Sequence, residues 1–494
     1  MSEGVPILNN GNTRQRMRGN SRREFDPENG AHEKPHIPGL EAKGFTTFTD
    51  RFLRRGKRQV GILESFYNIA TSSFLNLFIV FVPVSWALHF RRGDLHEFVF
   101  AFSFLAIIPL ERLFDYCGEQ MAFYCGNDLG DLIVITLNNA VEATLAVILL
   151  IKKDYRVLQS TIIGVILLHL LLVPGTAFIT GGARVVSQDL NSHITELNHT
   201  LLLMGVLSLV LPAAFFAALD HGTNTTIAGE EAIGLLTDET RDMFLRFSRG
   251  ISVILLVMYI CSRIYLHDPP GDNNALQVRP DAVAAVKENE ERLAKEEPGV
   301  NQWICIVVIV AAVTLMAATA EFLVESIEGI LPEHEEWFGL ILLPIVSFAA
   351  DGTVAVLNFC KSIYHHIFHT PMSPIPLAKA RAIDLSIQFT LFWMPFLVLL
   401  AWWTHKPFGL LFDLFEVAAL VGACFLVNYI TADAKTNWAE GCAMVGFYTM
   451  IGLCAWYYPG QPEIELFLHE GSITALAQGG LEGAHHEAAA LVIG

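Results

Sequence analysis

Long apolar runs separated by short polar loops dominate the chain from about residue 60 onward. Eleven of them approach the ~20 residues a helix needs to cross ~30 Å of hydrocarbon. Their predicted extents are about 67–90, 95–111, 128–151, 157–181, 199–219, 248–266, 303–327, 336–360, 382–404, 413–431 and 441–459. Two runs are interrupted by short polar stretches, Asn138-Asn139-Ala140-Val141-Glu142 and Ser347-Phe348-Ala349-Ala350-Asp351, in matching positions of the two halves. A carboxylate near the middle of a membrane helix costs roughly 2.5–3.5 kcal/mol, so it is rarely present without a function. Two of them related by an internal repeat point to the midplane ion site of a secondary cation transporter.

The polar remainder frames these spans. Residues 1–60 form a predicted disordered tail ending in the basic cluster Arg51, Arg54, Arg55, Lys57 and Arg58. Residues 267–302, between the sixth and seventh spans, are Pro/Gly-flanked and charged; Asp281 to Glu297 has the composition of a short solvent-exposed helix. Residues 461–494 read as a C-terminal tail.

Hydrophobic residues make up 53% of the 494 and the mean hydropathy is +0.44, which places the chain in the membrane class. The net charge of −18 belongs to loops and tails and does not oppose membrane contact. No apolar stretch follows Met1, so the first span is expected to act as the signal anchor. Lys and Arg favour the N-terminal side, which puts the N-terminus in the cytosol, and none follows Lys435. Lys152, Lys153 and Arg156 run against that bias. Asn224-Thr225-Thr226 is a glycosylation sequon in a predicted lumenal loop. The eight Cys are scattered singly and read as small core hydrophobes.

Leu137 to Glu142 and Gly164 to Gly175 resemble the first repeat of the vacuolar calcium/proton exchangers. Ala320 to Ile327, Leu342 to Val346, Ser386-Ile387-Gln388, Pro395 to Leu399, Val427-Asn428-Tyr429 and Lys435 to Gly441 resemble the second. The similarity runs in order from about residue 60 to 460. It implies an all-α polytopic membrane protein of eleven transmembrane helices, the last ten forming two inverted five-helix repeats. The expected organisation is a tail at 1–60, a first helix at 61–94, exchanger repeats at 95–266 and 303–460 around the loop 267–302, and the tail 461–494. The implied activity exchanges cytosolic Ca²⁺ for lumenal protons at the vacuolar membrane. No cofactor is implied; the partners are the lipid bilayer, inorganic cations and protons, and nothing in the sequence fits nucleic acid.

Asn139 and Glu142, at i and i+3, share one helix face and can offer an amide oxygen and a carboxylate to one cation. With Asp351 they form the expected metal-binding set, and Ser347, Gln388 and Asp384 complete the expected cation/proton site. Asp131, Glu321 and Glu325 are candidates for an access path. Asp131 lies eleven residues before Glu142, about 16 Å away on the same face.

The chain also departs from the family's Gly-Asn-Ala-x-Glu pattern. Asn138 replaces the first Gly, and Ser347, Phe348, Asp351 and Gly352 stand for Gly, Asn, Glu and His in the second half. Val165, Leu168 and His169 replace polar family residues, and Asp384-Leu385 replaces Gly-Ser. Phe348 cannot coordinate a cation, and Asp351 is one methylene shorter than Glu. Asp384, four residues before Gln388, is a candidate replacement carboxylate. His365, His366 and His369 sit in an insertion before the ninth span and are either a transition-metal group or interfacial side chains. Three functional readings follow: Ca²⁺/H⁺ exchange with an altered site; exchange of another cation such as Na⁺, K⁺ or Mn²⁺ against protons; and a family-fold regulator that does not transport. No Gly-rich phosphate loop, nucleophile elbow or HExxH supports an enzyme.

Overall fold

Proline residues set the shape of three of the helices. The computed structural model describes residues 52–54, 59–91, 95–125, 127–182, 188–190, 192–222, 237–267, 297–328, 335–367, 381–469 and 471–472, all within the unit Asp50–Gly494. In chain order the helices are α1 (Ile62–Thr71), α2 (Phe81–Arg91), α3 (His96–Cys125), α4 (Asn127–Asn138), α5 (Ala140–Lys152), α6 (Tyr155–Gly182), α7 (Ser192–Gly222) and α8 (Asp238–His267). They continue with α9 (Gln302–Glu328), α10 (335–367), α11 (381–403), α12 (Leu414–Ile430), α13 (Trp438–Trp456) and α14 (Pro462–Leu468). A 3₁₀ segment, Phe74–Val80, joins α1 to α2. The one two-stranded ribbon among the described residues pairs β1 (Gln188–Asp189) antiparallel with β2 (Lys435–Thr436), Gln188 opposite Thr436. It ties the chain entering α7 to the chain entering α13.

α6, α10 and α11 each widen into a π turn: Leu168–Leu172, Phe338–Leu342 and Phe389–Trp393. Each turn ends two residues before a proline, Pro174, Pro344 or Pro395. Proline has no N–H and its ring crowds the carbonyl four residues back, so a regular α-turn cannot close there. The preceding residue bonds five back instead: Val173 to Leu168, Leu343 to Phe338 and Met394 to Phe389. α6 and α11 occupy corresponding places in the two halves and share this device. They are also the most deeply packed spans, each 72% buried, against 17–44% for the other long apolar helices.

Small residues let these helices approach. A Cβ on Gly164 would lie 2.2 Å from the Leu340 carbonyl oxygen, and one on Gly339 would lie 2.6 Å from Ser160 Cβ. The α6–α10 crossing therefore brings backbone against backbone, as small residues allow in membrane bundles. Local sequence fixes several ends. Asp413 caps α12 through the Phe415 amide, and Asn437 with Glu440 forms a capping box on α13.

Several spans differ from the sequence expectation. Among the described residues, seven helices are long and apolar enough to cross a membrane, or eight if α4 and α5 count as one bent span. α3 misses that measure because, over thirty residues, it carries Glu111, Arg112, Asp115 and Glu119. It reaches fourteen residues past the predicted end at 111, because Glu111 is buried and Arg112 pairs with Asp115 at 3.0 Å within the helix. α12 is apolar but only 17 residues long. The start of the predicted C-terminal tail is also folded: α14 buries Ile464, Phe467 and Leu468, with Phe467 packed against Phe216, Phe244 and Leu411. Asn224 and most of 267–302 lie outside the described residues.

Candidate functional site

The first polar interruption breaks its helix. α4 ends at Asn138, α5 starts at Ala140, and the two are bent by 51°. Asn139 sits between them with φ −94° and ψ 6°, in the sparsely populated bridge region. The break exposes the positive N-terminal end of α5 inside the bundle, a recurring arrangement of transporter ion sites. Glu142 lies in the first turn of α5, 3% exposed, and Asn139 is fully buried.

A polar network holds Asn139 in place. Its Nδ2 donates to Gln388 Oε1 at 2.7 Å and to the Leu385 carbonyl at 3.3 Å. Gln388 Nε2 donates in turn to Thr136 Oγ1 and to the Tyr259 hydroxyl, each at 3.0 Å. With its nitrogen committed, Asn139 Oδ1 is left buried with no hydrogen-bond partner among the described residues. An amide oxygen in that condition, on the same face as a buried carboxylate, suits a cation. His169, in the π turn of α6, places Nε2 3.7 Å from Glu142 Oε1. Asn138 is anchored as well: oriented with its nitrogen inward, its amide reaches Asp115 Oδ1 at 3.3 Å and the Val134 carbonyl at 2.9 Å. The residue standing for a family glycine thus fastens α4 to α3.

The second interruption behaves differently. α10 runs helically through 343–367 with no break at Asp351. Ser347 is buried, but its hydroxyl is used by its own helix, donating to the Pro344 carbonyl at 2.8 Å. The Phe348 ring lies over Gly352, where an added Cβ would meet Cε1 at 2.9 Å. Phe348 and Gly352 are therefore a matched pair: the ring occupies room that any side chain at 352 would need.

The predicted residues are thus only partly brought together. Asn139 at the α4–α5 break, Glu142 on α5 and Gln388 on α11 belong to one buried group. Asp384 is half-buried one turn before Gln388, in the electrostatic neighbourhood of Tyr259. The side chains of Asp131, Asp351, His365, His366 and His369 lie outside the described residues. Glu325 pairs with Lys152 at 2.7 Å and stands 3.7 Å from His89, 43% exposed, and Glu321 is exposed. Sequence reading left Thr136, Tyr259 and His169 out of the site. Thr136 could have been found three residues before Asn139 on the same face; no sequence signal marks Tyr259, which reaches Gln388 from 129 residues away.

Comparisons with known proteins bear on the family and the fold. A family model described as sodium/calcium exchanger protein matches residues 95–266 and 304–457. A vacuolar calcium ion transporter of Cryptococcus neoformans var. grubii is 32% identical over 467 residues, covering 79% of this chain and 74% of that protein. A vacuolar calcium ion transporter of Schizosaccharomyces pombe is 28% identical, covering 88% of this chain and 95% of its own. Rice vacuolar cation/proton exchanger 3 is 30% identical, covering 79% and 87%. The crystal structure of the Ca²⁺/H⁺ antiporter protein YfkE superposes with a TM-score of 0.54 at 21% identity, covering 77% of this chain and all of that one, and shares the fold. With a family model that spans both halves and the broken helix within it, this chain is an integral membrane protein belonging to the sodium/calcium exchanger protein family.

Proposed function

We propose that this protein is a cation/proton antiporter that moves Ca²⁺ out of the cytosol into the vacuole, with Glu142 as its central exchangeable carboxylate. The observation that carries this reading is the buried Asn139–Glu142 pair at the α4–α5 break. One amide oxygen without a hydrogen-bond partner among the described residues and one carboxylate stand at the end of a half-helix, where a cation or protons can replace each other. Gln388, with Thr136 and Tyr259 behind it, keeps the Asn139 oxygen turned inward. His169 stands beside Glu142 and orients or shares its proton. Remaining oxygens come from water and from the second half, since Ca²⁺ takes six to eight. The names of the Cryptococcus, fission yeast and rice relatives support the ion and the organelle.

A second reading, exchange of another cation such as Na⁺, K⁺ or Mn²⁺ against protons, is favoured by the second half. There α10 is unbroken and the Phe348 ring stands where a family amide would coordinate. Sealed vesicles containing the purified protein and a pH-sensitive dye test both readings. Proton efflux driven by Ca²⁺, but not by Na⁺, K⁺ or Mn²⁺, supports the first; the reverse order supports the second. No flux with any of these cations refutes both.

A further inference from the structure

At the end of the bundle where α6, α10 and α12 begin, a second group of acids is buried away from the Asn139–Glu142 site. Glu416, in the first turn of α12, is 1% exposed, and among the described residues neither of its carboxylate oxygens has a hydrogen-bond partner. It lines a cavity about the size of a single water together with Glu336 and Asp413. Each of the neighbouring acids is already occupied. Glu336 accepts from Arg156 Nε at 2.8 Å and from Ser160 Oγ at 2.5 Å. Asp413 accepts from the Tyr458 hydroxyl at 2.7 Å and from the Phe415 and Gln461 amides. Arg156 is shared further with Glu465 at 3.0 Å and with the Pro459 carbonyl.

The charges facing Glu416 therefore do not neutralise it. α6 offers Arg156, already bonded to two carboxylates, and Ser160, whose hydrogen goes to Glu336. α10 offers Glu336, the start of α12 offers Asp413, the turn after α13 offers Tyr458, and α14 offers Glu465. The Tyr458 hydroxyl donates to Asp413 and brings no positive charge to the group. Glu336, Asp413 and Ser160 line the same small cavity as the Glu416 carboxyl. Two carboxyl groups side by side attract only when one proton lies between them; both ionised, they repel.

We propose that Glu416 and Glu336 form a proton-binding site at this end of the bundle, separate from the central site, whose occupancy keeps α6, α10 and α12 packed together there. The ligand is a proton arriving past the half-exposed Glu465 and Arg156. The packed arrangement binds one more proton than the parted one, so it is favoured as pH falls and loosens as pH rises at that face. The role in exchange rests on the antiport reading, whereas proton binding itself does not.

The test uses the full chain purified in lipid nanodiscs. Infrared difference spectra across a pH series should show a protonated-carboxyl stretch that disappears in Glu416→Gln and persists in Glu142→Gln. Glutamine keeps the shape and supplies an N–H toward Glu336, which preserves the fold. A wild-type spectrum without that band, or a band unchanged in Glu416→Gln, overturns the proposal whether or not the protein transports. In vesicles active for exchange, Glu416→Gln should shift the proton concentration for half-maximal rate at that face about tenfold or more. Glu465→Gln, at the rim, should leave the infrared band in place. An unshifted pH profile in Glu416→Gln overturns the coupling to transport.

Discussion

Gln388→Ala isolates the support behind the central site. In the native protein this side chain accepts from Asn139 at 2.7 Å and donates to Thr136 and Tyr259 at 3.0 Å each. Three neutral hydrogen bonds contribute about 1 kcal/mol each, and truncating a fully buried side chain adds a cavity of similar cost. The expected loss of stability is about 3–4 kcal/mol. Thr136 is least affected because it also donates to the Leu132 carbonyl at 2.7 Å. Asn139 is affected most, keeping only the 3.3 Å bond to Leu385. Its amide is then free to rotate, and the oxygen aimed at the cation is no longer held. Loss of a residue that orients a ligand costs roughly 10–100-fold in metal affinity. The assay is the Ca²⁺ concentration for half-maximal proton flux, with thermal unfolding in detergent measured on the same preparations. Tyr259→Phe, which removes one of the three bonds, provides the graded comparison and should cost about 1 kcal/mol with a much smaller change in affinity. Unchanged half-saturation in Gln388→Ala, or a larger effect from Tyr259→Phe, would refute the network as the support of Asn139.

Further outcomes follow from the same geometry. Glu142→Gln keeps the shape but removes the exchangeable charge, so cation-driven proton flux should vanish while expression and unfolding temperature persist. Phe348→Asn with Asp351→Glu returns an amide and the full carboxylate reach, and Ca²⁺ affinity should rise in uptake assays; a clear fall at normal expression would show that the second half is adapted to Ca²⁺ as it stands. Gly352→Ala should destabilise by about 1–3 kcal/mol in thermal unfolding, because its Cβ meets the Phe348 ring at 2.9 Å, and Phe348→Leu should relieve most of that cost. Gly164→Ala would drive a methyl group to 2.2 Å from the Leu340 carbonyl and should part α6 from α10, seen as lost yield of folded protein.

The alternation of apolar runs and polar loops made the membrane class legible, because the hydrocarbon thickness sets a minimum run length that local composition must meet. The spacing of Asn139 and Glu142 likewise made one half of the site legible, since residues at i and i+3 share a face in any helix. The prolines at 174, 344 and 395 were visible too, but their effect was not: whether a proline ends, kinks or widens a helix depends on what packs around it. The break at Asn139 and the unbroken helix at Asp351 were equally out of reach, because both segments read as polar interruptions of similar length. Only tertiary packing distinguishes them: Gln388 and Leu385 hold the Asn139 side chain at the break, while Phe348 closes over Gly352. His169, Tyr259 and the Glu416–Glu336 pair are assembled from helices far apart in the chain. No periodicity within one segment encodes such distances. Sequence therefore determined the membrane class and which amide and carboxylate share a helix face in the first half, and the fold decided where that helix breaks, which polar groups surround the pair and where a second buried acid pair forms.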